Sequence, residues 1–150
     1  MRFQLLALTI PFILASCTPQ LSTEEKLDEC IKLAKFANKS IETTVFGGDS
    51  KSANQAADNL ELNARFLREA KFRDAGIKNT AEQLALLNEK SAKTARQLGK
   101  TVDKLDQKIG DPDLIVELKE KSSELTKIGD EVTALANPQL KQCSNQNKNI

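Results

Sequence analysis

Residues 80–110 read TAEQLALLNEKSAKTARQLGKTVDKLDQKIG. Leu84, Asn88, Ser91, Ala95, Leu98, Val102, Leu105 and Ile109 recur there at alternating steps of four and three. That spacing keeps one side of an α-helix facing a neighbour over its whole length, the signature of left-handed helix packing. Thr80 and Gln83 form a capping-box pair at the start, and Gly110 stops the run. One long amphipathic helix cannot bury its stripe alone, so the rest of the chain must supply partners.

Three further segments answer to the same period. Ser22-Thr23-Glu24-Glu25 caps a helix expected over about 22–46, with a stripe of Leu27, Ile31, Ala34, Asn38, Ile41 and Val45 and with Cys30 beside it. Gly47-Gly48 ends it. A second helix is expected over about 49–74, capped by Asp49 or Ser50, with Ala53, Ala57, Leu60, Ala64 and Leu67 as its stripe and Ala56, Asn63 and Ala70 flanking. The segment quoted above then spans about 79–109. The fourth, about 111–136, opens with Asp111-Pro112, a cap followed by proline at the first helical position. It carries Leu114, Leu118, Leu125, Ile128, Val132 and Leu135 and is expected to close before Asn137-Pro138. β-branched alternation is nowhere sustained. The expected fold is all-α, an antiparallel up-down-up-down four-helix bundle about 40 Å long, with residues 137–150 as a C-terminal tail.

Composition narrows the function. Of 150 residues, 29% are charged and 39% apolar, His, Trp and Tyr are absent, and the net charge is +1. A chain so nearly neutral lacks the basic footprint of a nucleic-acid binder. Without histidine it has no ordinary general base near neutral pH and no imidazole metal ligand. Glu24-Glu25 and Asp28-Glu29 suit the positive end of a helix dipole, and capping explains Asp111 and Asp113. No catalytic set, metal set or cofactor motif emerges, and a non-enzymatic role is expected.

The N-terminal segment reads MRFQLLALTIPFILAS over residues 1–16. Arg2 is a short positive region, and the apolar stretch from Phe3 to Ala15 is too short for a bilayer core of about 30 Å. It reads as a cleaved signal peptide. Leu14-Ala15-Ser16-Cys17 resembles the bacterial lipobox at all four positions. The resemblance implies diacylglycerol on the Cys17 thiol, cleavage before it and acylation of the new amino terminus. The mature chain is then a lipoprotein anchored on the exported side of a bacterial membrane, with residues 17–21 as a tether. Thr18, where enteric lipoproteins kept at the inner membrane commonly carry Asp, favours the outer membrane of a diderm host.

With Cys17 lipidated, Cys30 and Cys143 remain as an even pair suited to an oxidising compartment. An up-down-up-down bundle brings the start of its first helix and the end of its last to one end. A tail folding back there would close a Cys30–Cys143 disulfide. Two weaker features complete the reading. Asn38, Asn63, Asn88, Ser91 and Ser122 fall at similar heights and form a polar belt, read as register specification or as a small-ligand cavity. Arg68, Lys71, Arg73 and Lys78 cluster near the second turn, where cations suit a helix C-terminus or would face anionic headgroups. The expected function is a membrane-anchored binding, scaffolding or assembly accessory of an envelope protein complex, touching the lipid bilayer through Cys17. The alternative is a ligand-binding or sensing bundle.

Overall fold

The computed structural model describes residues 21–44 and 48–147. Residues 1–20, and with them the expected signal peptide, Cys17 and most of the expected tether, lie outside it, as do Val45, Phe46 and Gly47. The order is α1 (Thr23–Thr43), α2 (Ser50–Glu69), α3 (Ala75–Gln107) and α4 (Pro112–Asn147). No strand occurs among the described residues. Ion pairs and hydrogen bonds set the directions. Arg68 meets Glu89 while Arg96 meets Asp58 and Glu61, so α2 and α3 run antiparallel. Thr101 meets Glu117 and Lys90 meets Glu131, which does the same for α3 and α4. α1 packs on all three others, and the fold is an antiparallel four-helix bundle.

The four helices are unequal. α1 and α2 have 21 and 20 residues, against 33 and 36 in α3 and α4. At about 1.5 Å per residue the first pair is roughly 30 Å long and the second roughly 50 Å. Gly99 sits against the start of α2, its missing Cβ 3.2 Å from the Ser50 carbonyl. The last turns of α3 and the first of α4 therefore project as a two-helix hairpin. Its tip is bare: Ile109 is 92% exposed and Val116 54%. Gly110 makes the connecting turn at φ +84°, where a side chain would be strained.

Several boundaries move from their expected positions, each for a physical reason. α2 stops at Glu69 instead of reaching Asp74, because Phe72 turns into the core and Glu29 of α1 gathers the Arg73 and Asp74 amides. Asp74 then caps α3, accepting from the Gly76 and Ile77 amides, so that helix begins four residues before the expected start. Gly76 is inside a helix and Thr80 is a buried residue whose hydroxyl donates back to the Gly76 carbonyl.

α4 does not end at Asn137 but continues through Pro138. Proline removes one helical donor, and the cost is smallest where the freed carbonyl meets solvent. Ala134 and Pro138 both lie on the exposed side. The expected folded-back tail is thus helix, and Cys143 reaches Cys30 from within it, with Cα atoms 5.9 Å apart.

The core is graded. Near the disulfide it holds Leu33, Leu67, Phe72, Ile77, Leu84 and Val132. Toward the hairpin it thins to Ala57, Leu60, Ala92 and Ala95, then to Ala53, Leu98 and Leu125. Alanine at facing positions of α2 and α3 lets their backbones approach closely.

Candidate functional surface

The end of the bundle that carries the disulfide also carries the start of α1. Ser22 caps α1 through a reciprocal pair: its hydroxyl accepts from the Glu25 amide at 3.2 Å, and its own amide donates to Glu25 Oε2 at 2.8 Å. Seven residues in, Glu29 is only 6% exposed. Its carboxylate accepts the Arg73 and Asp74 amides at 3.0 Å each, and the Arg73 guanidinium lies 3.6 Å away. This buried acid ties the α2–α3 connection to α1, next to Cys30. Arg73 also donates to Glu25 at 2.9 Å. The Ser22 amide and the Arg73 guanidinium together hold the Glu25 carboxyl down at about 2. Between α1 and the connection runs an open groove of about 680 Å³, with Phe36, Ala70 and Phe72 at its base and charges on both rims.

The basic turn is only partly available to a ligand. Arg68 is paired with Glu89, and Arg73 with Glu25 and Glu29, so each acid raises the guanidinium's proton affinity. Lys71 and Lys78 are exposed and form no ion pair among the described residues.

The polar belt is not one site. Asn63 donates to the Phe36 carbonyl at 3.1 Å and to the Ser40 hydroxyl at 2.9 Å, joining α2 to α1. Asn88 and Ser91 are buried in α3, and neither polar atom of the Asn88 side chain has a partner. Asn38 and Ser122, by contrast, are exposed. Ser40, absent from the expected belt, is the α1 residue that belongs to it. Neither the groove beside the α2–α3 connection nor the one between α1 and α4 is lined by Asn63, Asn88 or Ser91.

Asn38 is exposed because α1 is rotated from the orientation its expected stripe implies. Its buried side is Cys30, Leu33, Ala37 and Ser40. The expected stripe lies on the adjoining side: Ile31 is 47% exposed, Ile41 38%, Asn38 is exposed, and Leu27 and Ala34 are half-buried. Both stripes have helical spacing, and the only clue to the true one was Cys30, whose partner had to lie in the core. Beyond Ile41 a second groove of about 560 Å³ opens between α1 and α4, with Leu125 and Gly129 on its α4 side.

Among the described residues no group of three or more His, Cys, Asp or Glu side chains is placed to hold a metal ion. No helix among them is long and apolar enough to cross a membrane. The chain matches no protein-family model, no curated protein and no solved structure in these comparisons.

Proposed function

We propose that the mature chain is an exported bacterial lipoprotein, held to its membrane by acyl chains on Cys17, whose bundle serves as a non-catalytic docking or assembly scaffold for an envelope protein complex. The observation that carries this reading is the sequence Leu14-Ala15-Ser16-Cys17 standing five residues ahead of the α1 cap at Ser22. Five residues span at most about 17 Å, so the anchor holds the disulfide end of the bundle close to lipid. The exposed Lys71 and Lys78 at that end suit anionic headgroups. The Cys30–Cys143 bond suits an oxidising compartment.

The mass of the mature amino terminus tests the anchor. A chain beginning at Cys17 and carrying diacylglycerol is expected; an unprocessed or lipid-free terminus overturns it. Replacing Cys17→Ser is expected to move the protein from the membrane to the soluble fraction. Crosslinking of the anchored protein in its native membrane, followed by pull-down, tests the scaffold. One reproducible envelope protein is expected, and recovery of none overturns that role.

A further inference from the structure

We propose that the second half of α1, from Asn38 to Thr44, is a displaceable strap, which unwinds from the bundle as a unit while the disulfide-pinned first half stays in place. The inference does not rest on the lipid anchor, since every group it uses lies within the bundle.

The two halves of α1 are built differently. The first opens with the Ser22–Glu25 capping pair and carries Glu24 and Glu25 at the positive end of the helix dipole. Cys30 bonds to Cys143, Glu29 holds the Arg73 and Asp74 amides, and Leu33 is fully buried. The second half reads NKSIETT. Asn, Ser, Ile and Thr are all weaker helix formers than alanine or leucine. Its last turn holds no cation, and Glu42 sets a negative charge at the negative end of the dipole. The hydroxyls of Ser40, Thr43 and Thr44 donate back to the Phe36, Lys39 and Ile41 carbonyls of the same segment. Such back-bonding slightly destabilises a helix.

Packing follows the same division. Ala37 is the last apolar side chain of α1 to be fully buried. α1 supplies Cys30, Leu33 and Ala37 to the core near the disulfide, and none of its described residues joins the two clusters toward the hairpin. Past Ala37 the buried residue is Ser40, whose hydroxyl accepts from Asn63 Nδ2 at 2.9 Å. The same nitrogen donates to the Phe36 carbonyl, while the Asn63 amide oxygen is buried without a partner. Lifting the strap hydrates both ends of that amide, which offsets the bonds lost. On the other flank, the groove of about 560 Å³ lies between Ile41 and Thr44 of the strap segment and Leu125 and Gly129 of α4. A Cβ at Gly129 would meet nothing within 4 Å. Opening therefore gives up little apolar burial, and it extends this groove across to Asn63 on α2.

The test is native-state hydrogen exchange, resolved by residue, on the full disulfide-bonded chain in low concentrations of urea. The amides of residues 39–44 are expected to exchange at least about a hundredfold faster than those of residues 29–34, with one shared dependence on urea. Exchange graded residue by residue from Thr44 without urea dependence is end fraying and overturns the proposal, as does exchange equal to that of the first half. Two variants separate the strap from the bundle. Ile77→Val loosens the core beside the disulfide, where Ile77 is 1% exposed. It is expected to speed exchange at residues 29–34 by about two- to tenfold and to leave residues 39–44 unchanged. Acceleration of both by one factor means that the segment opens only with the whole bundle, and overturns the proposal. Gly129→Leu places an apolar side chain in the groove facing Ile41 and Thr44. It is expected to slow exchange at residues 39–44 by at least about threefold, and an unchanged rate overturns the proposal.

Discussion

Asn88 is fully buried on α3, and both its amide nitrogen and its amide oxygen lack a partner. Each such group costs about 1–3 kcal/mol of desolvation without return. Replacement Asn88→Leu keeps the branch at Cγ and removes both groups. It is expected to raise the urea midpoint, a gain on the order of 1–3 kcal/mol after repacking. Asn63→Leu is expected to act in the opposite direction, because it removes the donor shared by the Phe36 carbonyl and the Ser40 hydroxyl. Glu25 gives a separate test, in acid. Its carboxyl is held at about 2, against an ordinary 4.5, first by the Ser22 amide and then by Arg73. The folded state thus binds this proton more weakly than the unfolded chain. The stabilisation is complete above about 4.5 and is lost as the pH falls toward about 2. Urea unfolding followed across that window is expected to weaken on acidification, and less steeply in Glu25→Gln.

At the scale of the element, two glycines inside helices give opposite expectations. A Cβ at Gly99 would stand 3.2 Å from the Ser50 carbonyl and 3.4 Å from Ala53 Cβ, while one at Gly129 would meet nothing within 4 Å. Alanine gains about 0.8–1 kcal/mol over glycine in a helix interior. Gly129→Ala is expected to show that gain in thermal unfolding. Gly99→Ala is expected to forfeit it, because α2 must move away from α3. The same contrast explains what the sequence made legible. In α2 and α3 only one side is apolar, and Ala53, Leu60, Leu67, Leu84, Ala95 and Leu98 are buried as their spacing indicates. α1 has two adjoining sides of equal period, so periodicity alone could not choose between them. The boundaries at Glu69 and Asp74 were hidden because Glu29, more than forty residues earlier, supplies the acceptor that ends one helix before the next begins. Asn137-Pro138 misled for a related reason: a local helix breaker is outweighed when Ala136 and Cys143 on either side are buried. The lipobox reading at Cys17 falls outside the described residues, and the belt failed as a site because Asn38 and Ser122 are exposed.

Across the whole molecule, the disulfide decides how the parts hold together. It joins residues separated by 113 positions, closing α1 onto α4 around the entire bundle. Constraining a loop of that length stabilises by up to about 5 kcal/mol in the chain-entropy model. The effect will not be shared evenly. α2 and α3 keep their ion pairs Arg68–Glu89 and Arg96–Glu61 and their alanine-lined contact without it. α1 is short, leaves Ile31 and Ile41 exposed, and is tied near its start by Cys30 and the Glu29 carboxylate. The turns of α4 beyond Pro138 carry the other half of the bond. Cys143→Ser, or reduction of the native chain, is therefore expected to lower global stability and to increase amide exchange most in α1 and the end of α4. α2 and α3 should exchange nearly as in the oxidised protein. Hydrogen exchange resolved by residue, with and without reductant, measures this directly. Uniform acceleration over all four helices would mean that α1 is not a separable clasp but part of one cooperative core.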